Sequence, residues 1–144
     1  MQLEVNLEGK EGNGDMIIKA AQLTILVKDQ EEAKQFYTER LGFEVCSDME
    51  FGQGSRYLTV APREENETLF ELVKADTPEQ IALIGKQSAE QVLIMFETDD
   101  IERDYNEMKE GGVVFNGEPV PVPGGKGVGF EDLYGNQFDL FQPE

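Results

Sequence analysis

Two carboxylates at matching places in the chain are the residues best suited to chemistry. Asp139 lies in the sequence QFDLF, in which strict alternation turns it away from Phe138 and Leu140. Glu71 takes the same place in the related sequence LFELV. A carboxylate on a strand face can hold a metal ion, pair with a cation or contact water. The residues that these strands bring near the two acids decide among those roles.

The residue types that are missing narrow the chemistry. The chain contains no histidine, which removes the commonest general base and the commonest ligand for zinc, iron or nickel. Cys46 is the only cysteine, and without a histidine partner it is better explained as a strand residue than as a nucleophile. Arg56 shares a strand face with Leu58 by alternation. An ion pair of Arg56 with one of the acids is therefore the structural alternative to a ligand-binding role.

The overall composition excludes several classes of partner. The chain has 144 residues and a net charge of −18, which repels nucleic acids and anionic lipid and favours a cationic ligand, unless the charge serves solubility alone. No apolar run is long enough to span a membrane, and the N-terminus lacks the pattern of a secretion signal. A single cysteine fits a reducing compartment, so we expect a cytoplasmic protein.

The elements that position these residues follow one order twice. Alternation predicts strands and helical spacing predicts helices, with Asp29 and then Asp99-Asp100 as helix N-caps and with Gly42 and then Gly111-Gly112 as helix ends. The predicted strands are 20–27, 43–47, 55–61 and 68–73 in the first half, and 92–98, 113–115, a stretch near 120, 127–131 and 137–141 in the second. Residues 75–90 read as a linker with one helical turn.

This repetition predicts an internal duplication of a βαβββ module. Overlaying the halves places Glu71 opposite Asp139 and Gln22 opposite Leu93. The predicted fold is α+β, with two tandem βαβββ modules. The predicted boundaries are a leader at 1–16 and one domain at 17–142, with modules at about 17–75 and 91–142 and the linker at about 76–90. One hypothesis is that translation starts at Met16.

Several blocks of sequence resemble one known superfamily. They are LTILVKDQEEAKQFYTERLGFEV at 23–45, RYLTV at 56–60, FETDDI at 96–101 and DLYGNQFDL at 132–140. In this order they are similar to the vicinal oxygen chelate superfamily, which comprises glyoxalases, bleomycin-resistance proteins and extradiol dioxygenases. The resemblance covers about 17–142. It implies that the two βαβββ modules form a curled, cup-like mixed sheet with helices outside, and it implies a homodimer.

The resemblance also implies where a divalent metal would bind. The family's four ligand positions fall on Gln22, Glu71, Leu93 and Asp139. Leucine cannot bind a metal, and aspartate stands where glutamate is usual. If a metal is present, its ligands would be Gln22, Glu71 and Asp139. Three oxygen ligands make a weak site for a transition metal, so the residues favour a protein without the usual metal centre.

The leading functional prediction is a small-molecule-binding protein similar to the bleomycin-resistance proteins. The candidate pocket residues are Gln22, Thr24, Arg56, Leu58, Glu71, Leu93, Met95, Asp139 and Phe141. No catalytic residue is assigned. The alternative is a divalent-metal lyase or isomerase of glyoxalase type, and a purely structural or protein-binding role stays open. Extradiol cleavage is excluded, because its iron site needs two histidines.

Overall fold

A computed structural model describes residues 16–144, so the predicted leader lies almost entirely outside the described residues. The first half contains β1 (Gln22–Val27), α1 (Gln30–Gln35, continued by a π-helical turn at Phe36–Arg40), β2 (Glu44–Phe51), β3 (Ser55–Ala61) and β4 (Leu69–Lys74). The short helix α2 (Pro78–Ala82) follows. The second half contains β5 (Ile94–Glu97), α3 (Ile101–Glu110), β6 (Val114–Phe115), β7 (Val120–Val122), β8 (Gly125–Glu131) and β9 (Gln137–Pro143).

The two halves form two mixed sheets with equivalent strand orders. The first sheet runs β1-β4-β3-β2, and the second runs β5-β9-β8-β6 with β7 also paired to β8. In each sheet the first and last strands of the module are parallel, and the last two strands are antiparallel. This mixed α+β architecture confirms the predicted fold class.

The strand register supports the predicted overlay of the halves. Glu71 pairs with Thr24 on β1 and with Thr59 on β3. Asp139 pairs with Met95 on β5 and with Gly129 on β8. Glu71 and Asp139 are therefore equivalent in the hydrogen-bonded ladders. Counting two residues back along the first strand of each module makes Gln22 equivalent to Leu93.

The helices begin and end where the sequence predicts. The Asp29 side chain accepts a hydrogen bond from the Glu32 amide at the start of α1. The Asp100 side chain caps α3 in the same way, accepting from the Arg103 amide. Gly42 follows α1 with a φ of +73°, a left-handed conformation that glycine adopts without strain.

One apolar core joins the two modules. It contains buried residues of both sheets and of α1 and α3. Phe96 of the second module contacts Phe43 and Phe70 of the first edge-to-face, with ring centroids 5.5 and 5.8 Å apart. Burial of large aromatic rings at this junction stabilises the pairing of the modules. No helix within residues 16–144 has the length and apolar character needed to cross a bilayer.

A buried polar contact also ties α1 to the turn that closes the second module. Asp132 is 5% exposed and accepts hydrogen bonds from the Tyr37 hydroxyl at 2.6 Å and from the Asn136 side-chain amide at 2.8 Å. The backbone amides of Tyr134 and Asn136 donate to its other oxygen. Burial, together with the nearby Asp132 carboxylate, raises the pKa of Tyr37 well above its usual value. At this contact, which we call the joint, the neutral phenol of Tyr37 donates to an Asp132 carboxylate whose two oxygens both accept hydrogen bonds.

Candidate functional site

The two acids lie on the sheet faces turned away from the shared core. Phe138 and Leu140 are 1% and 6% exposed in that core, so Asp139 between them faces the other way, as alternation predicts. The same holds for Glu71 between Phe70 and Leu72. We call the face that carries Glu71 the first face and the face that carries Asp139 the second face.

Hydrogen bonds link Tyr57, Gln22 and Glu71 on the first face. The Tyr57 hydroxyl donates to the Gln22 Oε1 atom at 2.6 Å, and the Gln22 Nε2 atom donates to the Glu71 Oε1 atom at 3.1 Å. The Glu71 carboxylate therefore accepts from a neutral amide, and it has no arginine or lysine partner within residues 16–144. The phenol ring of Tyr57 fills part of the surface of β3. On the first face, Gln22 and Glu71 therefore have hydrogen-bond partners, whereas the buried Oγ1 atom of Thr59, which pairs with Glu71 in the ladder, has none among residues 16–144.

The second face is more apolar and leaves its carboxylate available. Within residues 16–144, the Asp139 side chain has neither a hydrogen-bond donor nor a cationic partner. Met95, which pairs with Asp139 in the ladder, is 60% exposed. Phe141 lies two residues further along β9 on the same face and is half-buried. A ligand that reached this face would meet an aromatic ring, a thioether and a free carboxylate.

Alternate glycines on β8 leave space beside Asp139. Gly127 and Gly129 occupy the places that Tyr57 and Thr59 hold in the first module. A Cβ atom at Gly127 would lie 3.5 Å from a methyl group of Val122, which is ordinary contact. Glycine weakens a strand interior, and packing does not require it at position 127. Its effect there is to leave β8 without a side chain beside Phe141, a strip of backbone that we call the glycine trough.

Packing between strands requires glycine at another position of β8, Gly125. A Cβ atom at Gly125 would come within 2.0 Å of the Gln142 carbonyl oxygen, so the close approach of β8 and β9 requires glycine there. At Gly129 a Cβ atom would lie 3.3 Å from the Asn116 side-chain amide and 3.6 Å from the Asp139 Oδ1 atom. Glycine at that position leaves the Asp139 carboxylate uncrowded.

Two predicted pocket residues lie on the opposite side of the sheet. Leu58 is fully buried in the core, and Arg56 lies on the same side of β3. The predicted ion pair of Arg56 with Glu71 or Asp139 is wrong, because Arg56 pairs with Asp48 at 2.9 Å and with Glu31 at 3.0 Å. Hydrogen bonds from Arg56 and then Lys34 hold the pKa of Asp48 well below its usual range. This cluster ties α1 to β2 and β3, away from both acids.

The remaining predicted residues divide between the two faces. Thr24 is exposed on the first face, beside Glu71 in the ladder. Leu93 packs against the edge of the core, and its backbone amide donates to the Gln137 carbonyl oxygen at 2.7 Å. The structure thus brings Gln22, Thr24 and Glu71 together, and it brings Met95, Asp139 and Phe141 together.

The side chains present do not fit the family's divalent metal. The Gln22 Oε1 atom, which would be the ligand, already accepts from Tyr57. The equivalent side chain in the second module is Leu93, which has no donor atom for a metal. Within residues 16–144, no three His, Cys, Asp or Glu side chains are arranged to hold a metal ion.

Sequence reasoning missed the residues that distinguish the two faces. Tyr57 lies next to the predicted Arg56, but its role depends on which way β3 faces. Gly127 and Gly129 belong to the sequence GKGVGFE, whose first, third and fifth residues are glycine. Glycine at alternate positions of a predicted strand indicates a strand face without side chains.

Comparison with known proteins gives the family. The model of the glyoxalase/bleomycin resistance protein/dioxygenase superfamily matches residues 19–140. The chain belongs to this superfamily, which confirms the resemblance found in its sequence. The mixed sheets described above are the fold of its structural neighbours.

Individual relatives include proteins of the same size. An uncharacterized protein of Shewanella frigidimarina (strain NCIMB 400) is 37% identical over 121 residues, which is 83% of this chain and 90% of that protein. The crystal structure of UcmS2 has a TM-score of 0.76 at 36% identity, covering 88% of this chain and 98% of that chain. TnmS3, an antibiotic binding protein from Streptomyces sp. CB03234, also has a TM-score of 0.76, at 31% identity, covering 91% of this chain and 100% of that chain.

Proposed function

We propose that this protein binds a cationic small molecule with a flat aromatic part on its second face, without a metal centre. The observation that carries the proposal is the unpaired carboxylate of Asp139 beside the glycine trough of β8. The aromatic part would lie over Gly127 against Phe141. The positive charge would pair with Asp139.

The contrast between the two modules supports this choice of face. Glu71 is bound by Gln22, and Tyr57 takes up the space that is free in the second module. A ligand on the first face would have to displace these hydrogen bonds. A ligand on the second face would instead donate a hydrogen bond to the Asp139 carboxylate. The similarity to an antibiotic binding protein at 31% identity supports a binding role for the fold in this branch of the superfamily. The net charge of −18 also favours cations.

Two flat dyes of opposite charge test the proposal. We expect the cation proflavine to bind saturably and the anion fluorescein not to bind, as followed by fluorescence anisotropy at pH 7. Asp139→Asn should weaken proflavine binding about tenfold or more, because a charge-assisted contact contributes about 1.5–3 kcal/mol. Glu110→Gln, which removes the same charge at the exposed end of α3, is the matched control and should change the affinity little.

A second pair of variants tests the trough. Gly127→Leu places a side chain where the aromatic ring of the ligand would lie, and we expect it to abolish proflavine binding. Gly111→Leu makes the same change at the end of α3, where a Cβ atom has ordinary contacts, and should leave binding intact. Circular dichroism confirms that both variants are folded. Equal binding by Gly127→Leu and Gly111→Leu would exclude the second face as the site.

A further inference from the structure

A small space beside Asp139 is bordered by a hydrogen-bond donor and an acceptor, and we call it the Gly129 space. A Cβ atom at Gly129 would lie 3.3 Å from the Asn116 Nδ2 atom and 3.6 Å from the Asp139 Oδ1 atom. One point above Gly129 is therefore close to both atoms, which do not hydrogen-bond to each other within residues 16–144. In the first module, the buried side chain of Thr59 fills the equivalent place beside Glu71. The Gly129 space thus distinguishes the second face from the first.

Neighbouring hydrogen bonds fix the position and the orientation of the Asn116 side chain. The Asn116 backbone amide donates to the Gly129 carbonyl oxygen at 2.8 Å, which holds the residue beside the space. The Gln137 Nε2 atom donates to the Gly135 carbonyl oxygen at 3.2 Å, which leaves the Gln137 Oε1 atom as an acceptor. The Asn116 Nδ2 atom donates to that oxygen at 3.0 Å. An amide NH₂ group has two N–H bonds, and within residues 16–144 the second one of Asn116 has no acceptor. It is therefore available to a ligand.

The two atoms that border the Gly129 space determine which chemical group fits between them. An ionised carboxylate only accepts hydrogen bonds, and an amide NH₂ group only donates them. A hydroxyl group can donate to Asp139 and accept from Asn116 at the same time. An ammonium group would leave the Asn116 N–H bond without an acceptor, and a methyl group would bond to neither atom. A second carboxylate would be repelled by Asp139. The space therefore favours a hydroxyl group.

We propose that the ligand of the second face is an aromatic amino alcohol, with Asn116 as the residue that recognises its hydroxyl group. This inference rests on the proposed function, in which the positive charge pairs with Asp139 and the ring lies over Gly127. Gly127 and Gly129 are alternate residues of β8, so the Gly129 space continues the glycine trough. The ammonium and hydroxyl groups contact the same carboxylate, and they are therefore attached to adjacent carbons of the ligand.

Two naphthalenes that differ by one hydroxyl group test the inference. The amino alcohol is 2-amino-1-(2-naphthyl)ethanol, measured as separate enantiomers, and the amine is 2-(2-naphthyl)ethylamine. Both are protonated at pH 7, where isothermal titration calorimetry gives their affinities. We expect one enantiomer of the amino alcohol to bind about three- to tenfold more tightly than the amine, which is the factor that one net hydrogen bond supplies. Asp139→Asn should weaken the binding of both, because both carry the charge that pairs with this carboxylate.

Two variants with matched controls assign the preference to the Gly129 space. Asn116→Ala should weaken the amino alcohol and reduce the preference to less than about twofold, because the donor is lost. Asn106→Ala, the same change on the exposed surface of α3, should keep the preference. Gly129→Ala fills the space with a methyl group against the exposed Asn116 side chain and should also remove the preference. Gly111→Ala, where a Cβ atom has ordinary contacts, is its control. Circular dichroism confirms that each variant is folded.

The outcomes separate this inference from the proposed function. Equal affinities of the wild type for the two naphthalenes, both weakened by Asp139→Asn, would overturn the inference and leave the proposed function standing; the space would then hold only water. A preference that survives in Asn116→Ala would also overturn the inference. So would binding of proflavine, which has no hydroxyl group, without binding of either naphthalene. If proflavine does not bind either, the proposed function fails and this inference fails with it.

Discussion

At the scale of single residues, the two modules show how one position can take different roles. Glu71 and Asp139 are equivalent in the strand ladders, yet among the residues that the structure describes only Glu71 receives a hydrogen bond. The difference lies in the neighbours. Leu93 stands in the second module where Gln22 stands in the first, and within residues 16–144 no donor reaches Asp139. The two modules thus contain one acid with a hydrogen-bond partner and one acid without a partner among the described residues.

A metal titration tests this division. Protein freed of metal by a chelator and then titrated with Mg²⁺, Mn²⁺, Ni²⁺, Zn²⁺ or Ca²⁺ should show no saturable rise in Tm, because Gln22 is engaged and Leu93 offers no ligand. Glu71→Ala and Asp139→Ala are measured in parallel. A saturable rise that disappears in both variants would contradict the expectation, and it would make the glyoxalase-type alternative the better explanation.

The structure brings some of the predicted pocket residues onto a shared face and turns others away, for one physical reason. Alternation along a strand fixes which residues share a face, and it correctly separated Asp139 from Phe138. It does not fix how the faces of neighbouring strands correspond, because the register between strands depends on tertiary pairing. The pairing of Thr59 with Glu71 turns Arg56 and Leu58 away from the acids. The duplication could predict that Glu71 and Asp139 are equivalent, but not their hydrogen bonds.

At the scale of elements, the turn before β9 holds the modules together. Tyr134 in this turn receives a hydrogen bond from the Asp29 amide at 3.1 Å and donates to a Glu32 side-chain oxygen at 2.9 Å. Burial, together with the Glu32 contact, raises the pKa of Tyr134 to about 12. With the Tyr37–Asp132 contact, this makes two polar ties between α1 and the second module. The start of α1 is thereby positioned by a segment about one hundred residues later in the chain.

Loss of one acceptor oxygen from Asp132 in this joint should lower the free energy of unfolding. Asp132→Asn replaces one acceptor oxygen by an NH₂ group, which would face the Asn136 amide or the two backbone donors. We expect a loss of about 2–3 kcal/mol in the free energy of unfolding, since buried donors would lose their acceptor. Urea denaturation measures it. Glu131→Gln, at the half-buried neighbouring position, is the control and should change stability by less than about 0.5 kcal/mol. Equal stability of the two variants would show that the joint contributes little.

At the scale of the whole molecule, the dominant electrostatic feature is the surplus of acid. Thirty acidic residues stand against twelve basic ones. The ion pairs within residues 16–144 are few, and some lie fully at the surface, as with Arg103 and Asp99, whose side chains are 50% and 90% exposed. Such pairs contribute little to stability. Repulsion among the remaining carboxylates should therefore exceed the attraction within the pairs.

The dependence of Tm on salt concentration shows whether repulsion among the carboxylates or attraction within the ion pairs has the larger effect on stability. Raising NaCl from 10 to 300 mM shortens the screening length from about 30 Å to less than about 10 Å. If repulsion dominates, screening stabilises the fold, and we expect Tm to rise by about 2–4 °C, equivalent to about 1 kcal/mol. A falling Tm would mean that the ion pairs dominate.

Proflavine affinity should fall over the same range in both the wild type and Asp139→Asn, because the long-range field acts on both. The ratio of their affinities should stay nearly constant, since the contact with Asp139 is local and only weakly screened.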